Sequence, residues 1–254
     1  MTQSTYENRK GRSRERMAIL GDVHANIDAL EAVLADARAW GATRYLCVGD
    51  VVGYNAAPSA CIERLMELQC TTVRGNHDHY TAFSEDLEGF HPLAADVIHW
   101  TRDQLRPEHM AFLRALEYTA SVENFTLVHS TLDEPDMWGY VFDTMEAESN
   151  FNCQKRSLCF FGHTHVPLAF ERAASVVGGF YTKIHVALGR KYFINVGSVG
   201  QPRDGNPHAA YAAYDMASGE IELRRIPYDI PAAQARIRAA GLPERLAQRL
   251  ETGR

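Results

Sequence analysis

Five short segments of this 254-residue chain each place a metal-competent side chain directly after an apolar run. MAIL (17–20) continues into GDVH and supplies Asp22 and His24. YLCVGD (45–50) supplies Asp50, and TTVRGNHD (71–78) supplies Asn76 and His77. FTLVHS (125–130) supplies His129, and SLCFFGHTH (157–165) supplies His163 and His165. Each piece is weak alone, because Asp or Asn after glycine makes a good turn or helix cap. Turn chemistry does not account for four histidines besides His77 at the same kind of place. Where strands run parallel in an α/β sheet, their carboxyl ends line one edge at which ligands bind. Five loops then direct these groups to one point.

The donor types narrow the chemistry. Two carboxylates, one amide oxygen and four imidazoles form an oxygen/nitrogen set without thiolate. That suits Mn, Fe, Zn, Co or Ni better than Mg or Ca, which prefer oxygen alone. Seven protein ligands are too many for one ion. They suit two ions about 3.5–4 Å apart that share a bridging carboxylate.

The elements that must position these groups alternate through the first half. Residues 17–20 predict a strand. A helix is predicted over 26–40, with Ile27, Leu30, Val33, Leu34 and Ala37 on one face, Asn26 as cap and Gly41 as stop. Residues 45–50 predict a second strand. A helix opening at Pro58 has Ile62, Leu65 and Met66 as its inner face, and a third strand runs into the GNHD loop. This is β-α-β-α-β syntax with parallel pairing. Two helices separated at Pro107 are expected between His91 and Leu116, and one between Met145 and Lys155. Beyond Val166 the pattern favours strands, with a hairpin at Ser218-Gly219, and one or two helices follow Pro231. One domain of two sheets covered by helices, residues 17–254, is the economical reading.

Composition excludes other classes. The chain is 46% hydrophobic and 23% charged, with net charge −6, so general nucleic-acid or anionic-membrane attraction is not expected. No run approaches the roughly 18 apolar residues of a membrane span. Residues 1–16 are polar and basic, with no signal-peptide core, and are expected to be a disordered tail of a cytoplasmic protein. Five cysteines, without a CxxC pair, argue against a disulfide framework; Cys47 and Cys159 sit in apolar runs as small buried hydrophobes.

In this order, GDVH, GDVVG, GNHD, VHS and GHTH resemble the calcineurin-like metallophosphoesterase superfamily, within it the small bacterial phosphodiesterases and phosphatases. The resemblance runs from about Met17 to Arg225, and NVGSVGQPRDG resembles the glycine-rich strand end of that group. It implies an α/β fold, a four-layer α/β/β/α sandwich of two mixed sheets flanked by helices. It implies that Asp22, His24 and His165 hold one divalent transition metal, that Asn76, His129 and His163 hold a second, and that Asp50 bridges them. His163 and His165 then serve different ions, which requires a bend after Phe161 for which Gly162 makes room.

The implied activity is two-metal hydrolysis of a small phosphate ester, diester or monoester and nucleotides among them. A metal-activated hydroxide attacks, and His77 acts as acid to the leaving group. A non-catalytic metal-binding interaction scaffold of the same fold, as in a retromer subunit, is the alternative; the presence of His77 and of every ligand favours the enzyme. Protein phosphatases of this class carry, two residues beyond GD, a third-position Asp that orients the catalytic histidine. Gly53 stands there in this chain, which argues against a large phosphoprotein substrate. Asp78 either orients His77 or caps a helix. Arg203 either meets a substrate phosphate or is a solvated turn residue. Tyr54, Asn55, Trp138 and Tyr140 are rim candidates, and Trp138 or Tyr140 either stacks on a nucleobase or packs. His79, His91, His99, His109, His185 and His208 lack the strand-end context and are read as ordinary. Homo-oligomerisation is left open.

Overall fold

The computed structural model of the chain describes residues 15–83, 85–87 and 92–254. The expected tail falls outside these residues except at its end, as does His91. Arg16 is not part of a tail. It opens β1 (Arg16–Leu20), and its guanidinium bonds Asp215 at 3.1 Å and the Trp40 carbonyl at 2.8 Å. Then follow α1 (Ile27–Trp40), β2 (Arg44–Cys47), α2 (Pro58–Glu67), β3 (Thr71–Thr72), α3 (Asn76–Ala82), α4 (Pro92–Gln104), α5 (Pro107–Ala115), β4 (Thr119–Val122) and β5 (Phe125–Val128). The second half runs α6 (Thr144–Cys153), β6 (Leu158–Phe161), β7 (Leu168–Arg172), β8 (Val176–Phe180), β9 (Lys183–His185), β10 (Lys191–Asn195), β11 (Ala209–Asp215), β12 (Glu220–Ile226), α7 (Ile230–Ala239) and α8 (Glu244–Thr252).

Two mixed sheets result, ordered β3-β2-β1-β11-β12-β9 and β4-β5-β6-β10-β7-β8. In the first, β1, β2 and β3 are parallel; in the second, β5, β6 and β10 are parallel. The five site strands therefore do not share one edge. Three belong to the first sheet and two to the second, and the site lies where the carboxyl ends of both parallel sets meet.

Alternation along β1 shows how the layers form. Met17 and Ile19 point between the sheets and pack with Leu46, Val48, Phe125, Leu127, Phe160 and Ile194. Ala18 and Leu20 point the other way, onto Leu30, Val33, Leu34 and Ala37 of α1. On the far side, Val128, Phe161, Phe170 and Phe193 pack against Ala147 and Phe151 of α6. The order is helices, sheet, sheet, helix, the expected four-layer α/β/β/α arrangement. Fully burying each large apolar side chain contributes about 1.5–3 kcal/mol.

Local signals set several boundaries. The Asn26 side chain accepts from Ala29 N–H at 3.1 Å and starts α1, while Gly41, at φ 89°, ends it. Other expectations need correction. Met66 is 45% exposed, so the inner face of α2 is Cys61, Ile62 and Leu65. The third strand is only two residues long, and Asn76 and His77 sit in the first turn of α3 instead of a loop. β4 was not expected; it pairs with β5 through a turn in which Glu123 takes φ 48°. No helix of the described residues is long and apolar enough to cross a membrane.

A polar cluster also ties the first sheet to α1. Asp36 accepts from Tyr211 Oη at 2.7 Å and from Arg224 Nε and Nη2 at 2.7 and 2.9 Å. Hydrogen bonding from Arg224, opposed by partial burial, holds the Asp36 carboxyl below its ordinary range. Asp36→Asn is expected to lower unfolding free energy by about 1–2 kcal/mol at neutral pH. Because the folded pKa is depressed, this contribution is complete above the unfolded value near 3.9 and disappears as pH falls through the folded one. Urea unfolding of both proteins from pH 7 to pH 3 checks it. A difference that does not narrow toward acid contradicts the assignment.

Candidate metal centre

The candidate ligands are presented on unusual backbone. Asp22, His24, Asp50, His163 and His165 all lie in the left-handed region, at φ 50, 47, 53, 67 and 59°. Non-glycine residues there cost roughly 1–2 kcal/mol each, and such positions cluster at functional sites. Cross-bonds between loops hold them. Asp22 N–H donates to the Gly49 carbonyl at 3.0 Å, and His24 N–H to that of Asp50 at 2.9 Å. His163 N–H donates to the Asp22 carboxylate at 3.1 Å. Gly162 permits this approach, since a Cβ there would lie 2.6 Å from Asp22 Oδ2. The bend expected after Phe161 is present.

The side chains form two touching groups. In the first, His165 Nε2 lies 3.4 Å from Asp22 Oδ1 and 3.0 Å from His24 Nε2. In the second, His129 Nε2 lies 3.4 Å from Asp50 Oδ2, 3.1 Å from His163 Nδ1 and 3.2 Å from Asn76 Oδ1. Asp50 Oδ2 also lies 3.5 Å from His24 Nε2, so this carboxylate stands between the groups. All seven predicted ligands are therefore together, and all are buried.

The outer ring nitrogens determine what the inner ones can be. His24 Nδ1 faces the Val52 carbonyl at 3.0 Å, and His165 Nδ1 that of Gln201 at 2.5 Å. His129 Nδ1 faces the Val48 carbonyl at 2.8 Å, and His163 Nε2 that of Trp138 at 2.9 Å. A carbonyl only accepts, so each outer nitrogen carries the proton. The inner nitrogen of each neutral ring presents a lone pair. Lone pairs facing each other at 3.0–3.1 Å repel unless a cation lies between them.

Protons are poorly placed to serve as that cation. Burial drives His24 and His165 well below their ordinary value and pushes His163 down to about 3. Only His129 is held up, at about 9, where burial is outweighed by the Asp50 carboxylate. Burial also pushes Asp22 up to about 7. A divalent cation reverses this logic by favouring carboxylate and neutral imidazole together. Outer-nitrogen bonds to carbonyls are also the usual support of metal-ligating histidines. The donor set, in its two touching groups, fits divalent metal.

His77 is buried beside this cluster, with a ring nitrogen within 4.8 Å of ligand atoms of His24 and Asp50. Its ring stands edge-on to His24 at 4.9 Å and lies 4.4 Å from Tyr54. Its backbone N–H donates to Asp50 Oδ1 at 2.8 Å, and its buried Nδ1 has no hydrogen-bond partner. Gly53 explains the missing partner. It takes φ 95°, and a Cβ there would lie 2.4 Å from His77 Nδ1, so no side chain at this position fits this ring pose.

Asp78 does not orient His77, and it is unavailable to substrate. Its buried carboxylate accepts from Val51, Val52 and Gly75 N–H at 2.8, 3.2 and 3.1 Å, joining the Asp50 loop to the start of α3. Arg203 is not a solvated turn residue. Its guanidinium carbon sits 5.4 Å from the Tyr54 ring centroid, Nη2 donates to Gln201 Oε1 at 3.0 Å, and buried Nε has no partner. Its neighbour Asp204 is paired with Arg225, while Arg203 has no carboxylate partner among the described residues.

Of the rim candidates, Asn55 is buried and donates to the His24 carbonyl at 2.8 Å. Trp138 packs on His79 and Tyr118, both at 5.7 Å. Tyr54 and Tyr140 remain at the mouth. His79 and His109 have other partners, pairing with Glu85 and Glu63 at 3.1 Å. Two supporting residues were given no role in the site from the sequence. Asn195 Nδ2 donates to the Gly162 carbonyl at 2.6 Å, and Ser198 Oγ to that of Asp22 at 2.8 Å. Both lie in NVGS, where the cue was the polar Asn closing an apolar strand.

Residues 16–219 match the family model described as the calcineurin-like phosphoesterase superfamily domain. The chain is 35% identical over 246 residues to an uncharacterized protein of Methanocaldococcus jannaschii, covering 95% of this chain and 99% of that one. It is similar to the crystal structure of a metallophosphoesterase from Sphaerobacter thermophilus, with TM-score 0.83 and 36% identity over 95% of this chain and 100% of that one. A hypothetical protein from Pyrococcus horikoshii shares the fold, with TM-score 0.77 and 20% identity over 94% and 98% of the two chains.

Metal binding is expected to stabilise the folded state directly. Mn²⁺ or Zn²⁺ added to chelator-stripped protein should raise the melting temperature, the stabilisation being about 2.7 kcal/mol per site at a free concentration one hundredfold above Kd. Asp50→Asn should remove most of that gain. An unchanged melting temperature with Mn, Fe, Zn, Co and Ni contradicts the metal centre.

Proposed function

Because this chain belongs to the calcineurin-like phosphoesterase superfamily, we propose that it hydrolyses small phosphate esters, diesters or monoesters, with two divalent transition-metal ions. Asp22, His24 and His165 would hold one ion, Asn76, His129 and His163 the other, and Asp50 both. The observation that carries this is the set of four histidines with carbonyl-fixed outer nitrogens, whose inner lone pairs converge on Asp22 and Asp50. Bound there, such ions would supply charge for the phosphoryl oxygens and activate water near neutral pH.

The chain's own residues supply the remaining steps. His77 faces the same space and is the proton donor to the leaving oxygen. Burial pushes its imidazole down to about 4, and an anionic phosphate beside it would raise that value again. Arg203 orients the phosphate. Its guanidinium is already seated against Tyr54 and has a free buried N–H, so little side-chain freedom remains to be lost on binding. Gly53, standing where protein phosphatases of this class carry an aspartate, favours a small ester over a folded phosphoprotein. The five cysteines are free, and four of them are buried, which fits a reducing compartment; we place the protein in the cytoplasm.

The test is turnover of bis(p-nitrophenyl) phosphate, p-nitrophenyl phosphate and a nucleotide panel by metal-stripped protein supplied with Mn, Zn, Fe, Co or Ni. Hydrolysis of at least one ester class is expected. His77→Asn should retain two metal equivalents while kcat falls roughly 10²–10⁴-fold. An unchanged kcat would remove His77 from the reaction, and no hydrolysis with any metal would leave the scaffold reading in its place.

A further inference from the structure

The segment between β5 and α6 crosses the mouth of the cluster and is fixed at both ends. Leu132 N–H donates to Asn150 Oδ1 at 2.7 Å, and Phe142 N–H to Glu146 Oε2 at 2.5 Å. In its middle, the Trp138 carbonyl accepts from His163 Nε2 at 2.9 Å. The segment is thus anchored to a candidate ligand, yet it leaves large apolar side chains in solvent.

Two of these side chains are arranged. The Tyr140 ring stacks on His163 at 4.2 Å between centroids and 22° between planes. The Phe142 ring lies 5.8 Å from Tyr140, inclined by only 11°. Three rings therefore share nearly one plane orientation, running outward from the candidate ligand. Tyr140 and Phe142 are both 51% exposed. The Tyr140 hydroxyl also lies within electrostatic reach of Arg203, Asp50 and Asp22, which places it at the mouth. Packing alone explains a ring on His163. It does not explain a second, parallel ring held half in water, where an exposed aromatic face is unfavourable.

We infer that Tyr140 and Phe142 form a stacking platform for a planar ring carried by the substrate, so that the preferred esters are phosphates bearing an aromatic group, a nucleobase or a small aryl ring. The inference rests on the phosphoester reading. A phosphate held between Arg203 and the cluster would leave its organic group beside the platform. Stacking on such rings tolerates many ring types, because every planar π system offers a face.

Matched pairs in which both members release a primary alcohol test this. Adenosine 5′-phosphate is compared with 1-O-methylribose 5-phosphate, and benzyl phosphate with cyclohexylmethyl phosphate, each as monoester and as methyl diester. The planar member should be favoured roughly tenfold in kcat/KM in at least one pair. The pair that shows the preference identifies base or aryl recognition. Phe142→Ala should bring that ratio toward one. A purely supporting role under His163 would lower both members equally and leave the ratio unchanged, which overturns the inference, as do ratios below about twofold in both pairs.

Calorimetric titration of the metal-loaded protein with non-hydrolysable phosphonate counterparts of the same compounds separates the two levels. Ring-dependent binding without turnover leaves the platform standing and removes the hydrolase. Turnover without ring-dependent binding does the reverse.

Discussion

Four hydrogen bonds from imidazole to backbone carbonyl govern this site. Val52, Gln201, Val48 and Trp138 each receive an outer N–H, and each of these bonds commits the opposite nitrogen to the interior as a lone pair. A histidine free to choose its tautomer could satisfy a neighbour by hydrogen bonding. As neutral rings these four cannot, and the pairs at 3.0–3.1 Å then face each other acceptor to acceptor. Such an arrangement is unstable without positive charge, and desolvation resists supplying that charge as protons on His24, His163 or His165.

The fold can be understood as the means of placing those carbonyls. Val48 and Val52 flank Asp50 beyond β2, Trp138 lies in the segment after β5, and Gln201 follows β10. They come from both sheets, so the pairing of the two parallel sets at their carboxyl ends is part of the electrostatics. In the loops between, five candidate ligands take left-handed backbone. The opposing stabilisation comes from the apolar layers and from buried cross-loop bonds. Asp78, with three backbone N–H groups on its carboxylate, is the clearest example. Its burial would otherwise favour the neutral acid, and it is kept because it fixes the Asp50 loop to α3.

Much of this was legible in the sequence. A polar donor after an apolar run is a local pattern, and α1 announced itself with Asn26, its periodic face and Gly41. What could not be read was the partner of each strand. Apolar runs bounded by turns do not say which sheet they join, so the shared edge was expected in one sheet and is built from two. The role of Asp78 was open for the same reason, since the N–H groups that donate to it lie 26 and 27 positions upstream as well as three residues away. Met66 fell on an apolar face but outside the contact, because the i+4 stripe of α2 is narrower than its hydrophobic content. Arg203 looked like a turn residue until the pairing of Asp204 with Arg225 became visible.

We propose that two ions share Asp50, with His163 and His165 on different ions although only Thr164 separates them. The most direct measurement is a crystal structure of protein loaded with Mn²⁺ or Zn²⁺, with anomalous scattering recorded at the metal edge. Two peaks about 3.5–4 Å apart are expected on either side of Asp50, one beside His163 Nδ1 and the other beside His165 Nε2. One peak alone, or both imidazoles on the same ion, would contradict it.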